Sequence, residues 1–296
     1  MIQRTAMISI VGRPNVGKST LTNALAGEKI AIVTNKPQTT RNRISAILNR
    51  GETQFVFLDT PGFHKARTKL GDYMVKIAKD SIASVDATIL MVEPIANIGA
   101  QESGLIEHIK EVGVPAVLVI NKIDSVKKET ILEVIAAYSP AHEFDAILPI
   151  SAKQGDGIQE LLDRLEDYSE PGHALFPEDM TSDQPEKQVC AEIIREKLLM
   201  CLNEEIPHGV AVEITKFSER DDTGIIDLDA TIFCEKSSHK GIIIGKNGAM
   251  LKKIGEMARH DVELFMGTKV FLQTWVKVME NWRDRASTLR NFGYKD

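Results

Sequence analysis

Four short segments carry residues whose types and spacing suit phosphate and base chemistry. Gly12 to Ser19, inside "VGRPNVGKST", fits G-x-x-x-x-G-K-[ST]. Its glycines let backbone N–H groups wrap phosphate oxygens, helped by the positive end of a helix that starts there. Lys18 would reach the outer phosphates, and the Ser19 hydroxyl would bind magnesium. In "DTPGF", Asp59 would hold the magnesium shell through water, and the Gly62 N–H would meet the terminal phosphate. In "NKID", Asp124 would accept two hydrogen bonds from guanine N1–H and the 2-amino group, a donor pair that adenine lacks. Lys122 would lie along the base, and Asn121 would tie this loop to the phosphate loop. "SAK" would present a backbone N–H to the guanine oxygen. The expected nucleotide contacts are therefore Gly12, Arg13, Pro14, Asn15, Val16, Gly17, Lys18, Ser19, Thr20, Asp59, Thr60, Pro61, Gly62, Phe63, Asn121, Lys122, Ile123, Asp124, Ser151, Ala152 and Lys153.

Such residues need strands to end beside one another. Apolar runs at Ala6–Val11, Phe55–Leu58, Ala87–Val92, Ala116–Ile120 and Ile147–Ile150 read as strands buried on both faces. Helical patterns lie between them, at Ser19–Ala26, Lys69–Ser84, Gln101–Val112, Lys127–Tyr138 and Gly157–Tyr168. This alternation predicts an α/β domain with a mostly parallel sheet covered by helices. Each motif is weak alone. Four in this order, all at strand ends on one sheet edge, form a strong signal.

Near residue 170 the pattern breaks. "SEPGHALFPEDMTSDQPEK" reads as an interdomain linker. The expected division is 1–171, a linker at 172–184, and an α+β domain at 185–296. In the last part a helix is expected at about 187–205, then strands "VAVEITKF" and "IIDLDATIF" joined by the turn "SERDDTG". After them come "GIIIGKNG", a helix at 249–260, a strand "KVFLQTWVKV" and a basic helix at 280–291. Gly245-Lys246-Asn247-Gly248 is a G-x-x-G loop opening a helix, where a sugar-phosphate strand could approach the backbone closely. The preceding "IIIG" would floor a groove for bases.

Charge supports that placement. From Lys236 to Asp296 there are 12 Lys+Arg against 6 Asp+Glu, whereas Asp183 to Glu235 holds 5 against 13. A basic face confined to one end is the footprint of nucleic-acid binding. Lys252, Lys253, Arg283 and Arg285 join the G-x-x-G loop as expected RNA contacts. Trp282, Phe292 and Tyr294 could stack on bases, and Trp282 could equally pack the helix onto its sheet. The whole chain has 296 residues and a net charge of -6, which argues against coating nucleic acid with the entire surface. Three cysteines without C-x-x-C spacing argue against a disulfide framework or zinc site and fit a reducing cytosol. No run approaches the length that spans a bilayer, and the N-terminus lacks a signal-peptide pattern, so a cytoplasmic location is expected.

The first part resembles translation-factor-type GTPase domains, and "KPQTTRNR" resembles their switch segment. By that resemblance Thr40 would bind magnesium in the GTP state, with Thr39 beside it as the alternative. The metal ligands would then be Ser19, Thr40 and Asp59, and the catalytic groups Lys18, Thr40 and Gly62. In Ras-like enzymes a glutamine after this glycine orients water, and here Phe63 takes its place. In related GTPases an asparagine at the position of Asn15 helps bind potassium.

The element order of the last part resembles a type II KH fold, and the two parts together resemble the Era family of bacterial GTPases. The resemblance implies a slow GTP-hydrolysing switch with magnesium, and potassium as a second ion to test. It implies binding to the 3′ region of small-subunit ribosomal RNA, with a role in its processing and in small-subunit assembly. It also implies a monomer, with peripheral contact at the cytoplasmic face of the inner membrane. The rival reading is an RNA-binding module whose nucleotide domain only senses GTP.

Overall fold

The computed structural model describes residues 1–204 and 206–294. The expected helix end at Glu205, and Lys295 and Asp296 of the C-terminal range, lie outside the described residues. The chain divides into two compact units. One contains Met1–Ala31, Thr40–Arg67 and Gly71–Asp183, and the other Gln184–Asp296 with Ile32–Thr39 and Thr68–Leu70.

The first unit is built on strands β1 (Arg4–Gly12), β2 (Ile44–Arg50), β3 (Thr53–Asp59), β4 (Ala87–Val92), β5 (Ala116–Ile120), β6 (Ala146–Pro149) and β7 (Glu170–Pro171). Helices α1 (Lys18–Ala26), α2 (Lys69–Asp80), α3 (Ala100–Val112), α4 (Lys128–Tyr138) and α5 (Ile158–Glu166) alternate with them. The sheet order is β2-β3-β1-β4-β5-β6, with β7 beside β1. Pairings from β3 through β6 are parallel, while β2 and β7 run antiparallel to their neighbours. Every residue of β3, β4 and β5 is buried, as strands covered on both faces require. The helices seal those faces with apolar stripes; α5 buries Ile158, Leu161, Leu162 and Leu165, one side of a helical wheel. The neighbours of β1 follow it in opposite directions along the sheet, so a crevice opens at its carboxyl end, where the phosphate loop lies.

Two features add to the sequence reading. The edge strand β2 is hidden in the sequence by the polar segment before it and by its own polar end "LNR". The linker-like segment after β7 is held against this unit. Gln54 Oε1 accepts from the Leu175 and Phe176 N–H groups at 2.7 and 2.9 Å, Ile47 N–H donates to the Thr181 carbonyl at 2.8 Å, and Ser45 Oγ donates to Asp183 at 2.7 Å. Proline and glycine content marks irregular backbone, which here is irregular yet hydrogen-bonded.

The second unit holds α6 (Glu186–Cys201), β8 (Ala211–Glu219), β9 (Ile226–Cys234), α7 (Ser237–Ile244), α8 (Ala249–Met266), β10 (Val270–Val278) and α9 (Ala286–Asn291). Its sheet runs β10-β9-β8, with β8 antiparallel and β10 parallel to β9. The core joins Ile193, Ile194 and Leu198 of α6 to Leu228, Ala230 and Ile232 of β9 and to Ile254, Ala258 and Val262 of α8. Cys190 and Cys234 are buried in it.

In the run expected to floor a groove, "IIIG", the three isoleucines end helix α7 and Gly245 caps it. Ile243 is buried in the core while Ile242 stays exposed. The basic C-terminal helix is broken: a 3-10 turn at Trp282–Asp284 precedes α9, with Arg285 extended between them. The anchor is Trp282, fully buried, whose Nε1 donates to the Gly209 carbonyl at 2.9 Å. Among the described residues no helix is long and apolar enough to cross a membrane.

Candidate nucleotide site and RNA-facing loop

The four motifs meet at the carboxyl edge of the sheet. Gly17 caps α1 in the left-handed region at φ 105, and a Cβ there would lie 2.2 Å from Asn121 Nδ2. Only glycine permits both this backbone and this approach. Asn121 Nδ2 donates to the Val16 carbonyl at 2.8 Å, and Asn121 Oδ1 accepts from the Ala152 N–H at 2.9 Å. One side chain thus links the phosphate loop, "NKID" and "SAK". Ser151 Oγ donates to Asp124 Oδ1 at 2.6 Å and orients that exposed carboxylate. Lys122, left-handed at φ 66, donates to the Asn15 carbonyl at 2.7 Å. Gly62 packs on the phosphate loop, where a Cβ would lie 2.6 Å from Pro14 N, and the Phe63 N–H donates to the Gly12 carbonyl at 3.0 Å.

Oxygen atoms converge around Ser19. Its Oγ lies 2.8 Å from Thr40 Oγ1 and donates to Asp59 Oδ2 at 2.8 Å. Thr39 Oγ1 is occupied elsewhere, 2.7 Å from Thr34 Oγ1 and donating to the Lys36 carbonyl at 2.7 Å. Asp59 Oδ1 is buried with no hydrogen-bond partner among the described residues. Burial raises the Asp59 carboxyl to about 6, although the Lys18 ammonium, the Ser19 hydroxyl and the Thr60 N–H pull it down. Burial lowers Lys18 to about 8 against the attraction of Asp59. Lys18 Nζ donates to the carbonyls of Gly12 and Arg13 at 3.1 and 2.9 Å. Two hydroxyls and one carboxylate with a free oxygen form a hard, all-oxygen donor set of the kind magnesium takes, the carboxylate through water.

Phe63 does not point into this cluster. Its ring packs against the core below α3, and a Cβ on Gly104 would lie 3.4 Å from Phe63 Cε1. Arg13 is turned toward two carboxylates that the motif reading did not single out, Glu93 and Glu102. They stand outside every local pattern, so spacing offers no signal for them.

In the second unit the G-x-x-G loop joins α7 to α8. Gly245, Asn247 and Gly248 have φ of 73, 52 and 79. Lys246, Asn247, Lys252 and Lys253 are exposed, and Lys252 makes a loose ion pair with Glu256 at 3.9 Å. Arg285 is exposed as well, whereas Arg283 Nη2 pairs with Glu235 at 2.6 Å. Phe292 packs between Phe233 and Trp282, and Tyr294 is buried, so packing, the alternative for Trp282, holds for all three aromatic residues expected to stack on bases.

A parallel sheet with a glycine-rich phosphate loop and guanine-type loops, followed by this second α+β unit, defines a P-loop GTPase carrying a KH domain. Residues 7–122 match the family described as 50S ribosome-binding GTPase, and residues 205–283 match the KH domain family. GTPase Era of Ruminiclostridium cellulolyticum is 50% identical over 295 residues, covering 100% of this chain and 99% of its own. GTPase Era of Clostridioides difficile is 50% identical over 294 residues, covering 99% of both. A crystal structure of Era with MgGDPNP and nucleotides 1506-1542 of 16S ribosomal RNA matches at TM-score 0.95 and 38% identity, over 99% of this chain and 100% of that one. A point variant of Aquifex aeolicus Era bound to GDP.AlF4- matches with the same TM-score, identity and coverage. The chain belongs to the Era family of GTPases.

Proposed function

We propose that this protein is a GTP-hydrolysing switch that binds the 3′ region of small-subunit ribosomal RNA and acts in its processing and in assembly of the small subunit. The observation that carries the reading is full-length likeness to a relative crystallised with both MgGDPNP and 16S ribosomal RNA. In this reading residues 1–171 form the GTPase domain, 172–184 the connection and 185–296 the RNA-binding domain. Ser19, Thr40 and Asp59 hold magnesium, which neutralises phosphate charge when bound. Lys18 and the Gly62 N–H stabilise charge on the transferring phosphoryl group, while Asp124 and a backbone N–H of the Ser151–Lys153 loop read guanine. The RNA-binding residues are Gly245, Lys246, Asn247, Gly248, Lys252, Lys253 and Arg285, with Arg283 after release from Glu235.

The chain acts as a monomer in the cytoplasm, with peripheral contact at the inner membrane. Cell fractionation and sedimentation test those two points. The description of the matched GTPase family names the 50S subunit, which favours a second reading, large-subunit binding. Co-sedimentation of the GTP-analogue-loaded protein with purified 30S or 50S subunits separates them. Retention on 30S alone supports the proposal, and retention on 50S alone overturns it.

Potassium completes the reading. Phe63 cannot orient water, so a second cation beside Asn15 would supply positive charge near the phosphates. Hydrolysis at constant ionic strength should run faster in potassium than in sodium, and Asn15→Ala should erase the difference. Equal rates in both salts would favour a nucleotide sensor that rarely turns over.

A further inference from the structure

Beside the phosphate loop runs a chain of charges, of which the two carboxylates, Glu93 and Glu102, have no part in the proposed function. Glu102, in the first turn of α3, is only 2% exposed, and its Oε1 accepts from Arg13 Nε at 2.7 Å. Arg13 Nη2 reaches Glu93 Oε2 at 3.0 Å, and the other Glu93 oxygen accepts from Lys122 Nζ. Lys122 in turn donates to the Asn15 carbonyl. The signs alternate from Glu102 through Arg13 and Glu93 to Lys122, so the four groups balance.

Glu93 is the hinge of this chain. It follows β4 directly, while Arg13 belongs to the phosphate loop and Lys122 to the base-reading loop. Each of its oxygens serves one loop. Without it, two cations would face each other with a single buried carboxylate, Glu102, at one end. Arg13 and Glu93 are about a quarter exposed, at 28% and 26%, so their pairing is less screened than one on open surface. Long basic side chains lose much rotamer freedom when fixed, and a partner that fixes them in advance lowers the cost of binding.

We propose that Glu93 is a positioning residue for nucleotide binding, holding Lys122 and Arg13 so that the base-reading and phosphate loops are ordered together before the nucleotide arrives. The inference rests on the reading of this site as a GTP site. A link of this kind touches the base side and the loop backbone, not the terminal phosphate. Its loss therefore acts on GDP and GTP alike.

The test measures release of fluorescent GDP and of a fluorescent, non-hydrolysable GTP analogue from the full chain. Glu93→Gln should release both about tenfold faster, in line with loss of a charge-assisted hydrogen bond. Glu93→Asp should recover part of the loss. The double variant Glu93→Gln/Lys122→Met should release nucleotide more slowly than the product of the two single effects predicts, because the two share one contact while Glu93 keeps its second, to Arg13. Release from Glu93→Gln within about twofold of wild type overturns the proposal. Full additivity in the double variant, or an effect confined to GTP, does so as well. A lowered melting temperature of the nucleotide-free Glu93→Gln variant with unchanged release identifies a purely structural ion pair and likewise overturns it. A wild-type chain that bound no guanine nucleotide would overturn the GTP-site reading and this one together. A wild type that binds, with an unaffected variant, overturns this one alone.

Discussion

Asp59 and Lys18 are both buried, and neither fully compensates the other. The Asp59 carboxyl rises from 3.8 to about 6, chiefly by burial. In the metal-free protein the folded state then keeps a proton that the unfolded state loses, so this group's contribution to stability falls as pH rises from 3.8 to about 6. Lys18, lowered from 10.5 to about 8 by burial, costs stability below about 8, and the cost is relieved as pH rises toward 10.5. At neutral pH both are charged and under-solvated, a state that a metal ion and a phosphate can relieve. Binding of magnesium nucleotide should therefore release about half a proton from Asp59 near pH 6 and almost none from it at pH 7.5. Calorimetry in buffers of different ionisation enthalpy measures it; identical proton release at both pH values would contradict the assignment. Base reading is tested at Asp124, which Ser151 already orients. Asp124→Asn should weaken GTP binding by more than about a hundredfold and gain xanthosine triphosphate, whose base exchanges a donor for an acceptor. Unchanged GTP affinity would remove Asp124 from the base contact.

At the scale of elements, the G-x-x-G turn is set by its backbone rather than by side-chain packing at Gly248, where a Cβ would meet nothing within 4 Å. Its φ of 79 penalises most residues but suits asparagine. Gly248→Asn and Gly248→Asp then differ mainly in charge. The aspartate variant should bind RNA far more weakly than the asparagine variant, with GTP binding near wild type in both. Equal RNA affinity of the two, measured by filter binding across a salt series, would show that no phosphate passes there. The same elements show what is legible in the sequence. The phosphate loop can be read because its ligands are contiguous and its helix begins within the motif. Helix α7 cannot, since its end "GIII" has strand-like composition and no cap pattern before Gly245 marks it as helical. The break before α9 depends on Trp282 reaching Gly209, a contact 73 residues away in sequence. Arg13, Glu93, Glu102 and Lys122 meet only through the sheet order, so no window of sequence contains them.

At the scale of the whole molecule, one chain of net charge -6 carries a nucleotide site in one unit and a basic, glycine-loop face in the other. A switch needs GTP and GDP to favour different states, and RNA to bind those states unequally. Binding free energies are reciprocal: the factor by which GTP over GDP tightens RNA must equal the factor by which RNA tightens GTP over GDP. We expect an oligonucleotide from the 3′ end of small-subunit ribosomal RNA to bind the GTP-analogue form about fivefold or more tightly than the GDP form, the low end of ordinary allosteric coupling. The reverse titration, nucleotide exchange with and without that RNA, should return the same factor. Agreement between the two directions identifies true coupling, because a contaminating nuclease or a partly inactive preparation would distort one and not the other. Equal RNA affinity in both nucleotide forms would mean that the two units bind their ligands independently. The GTP cycle would then need another partner to make it a switch.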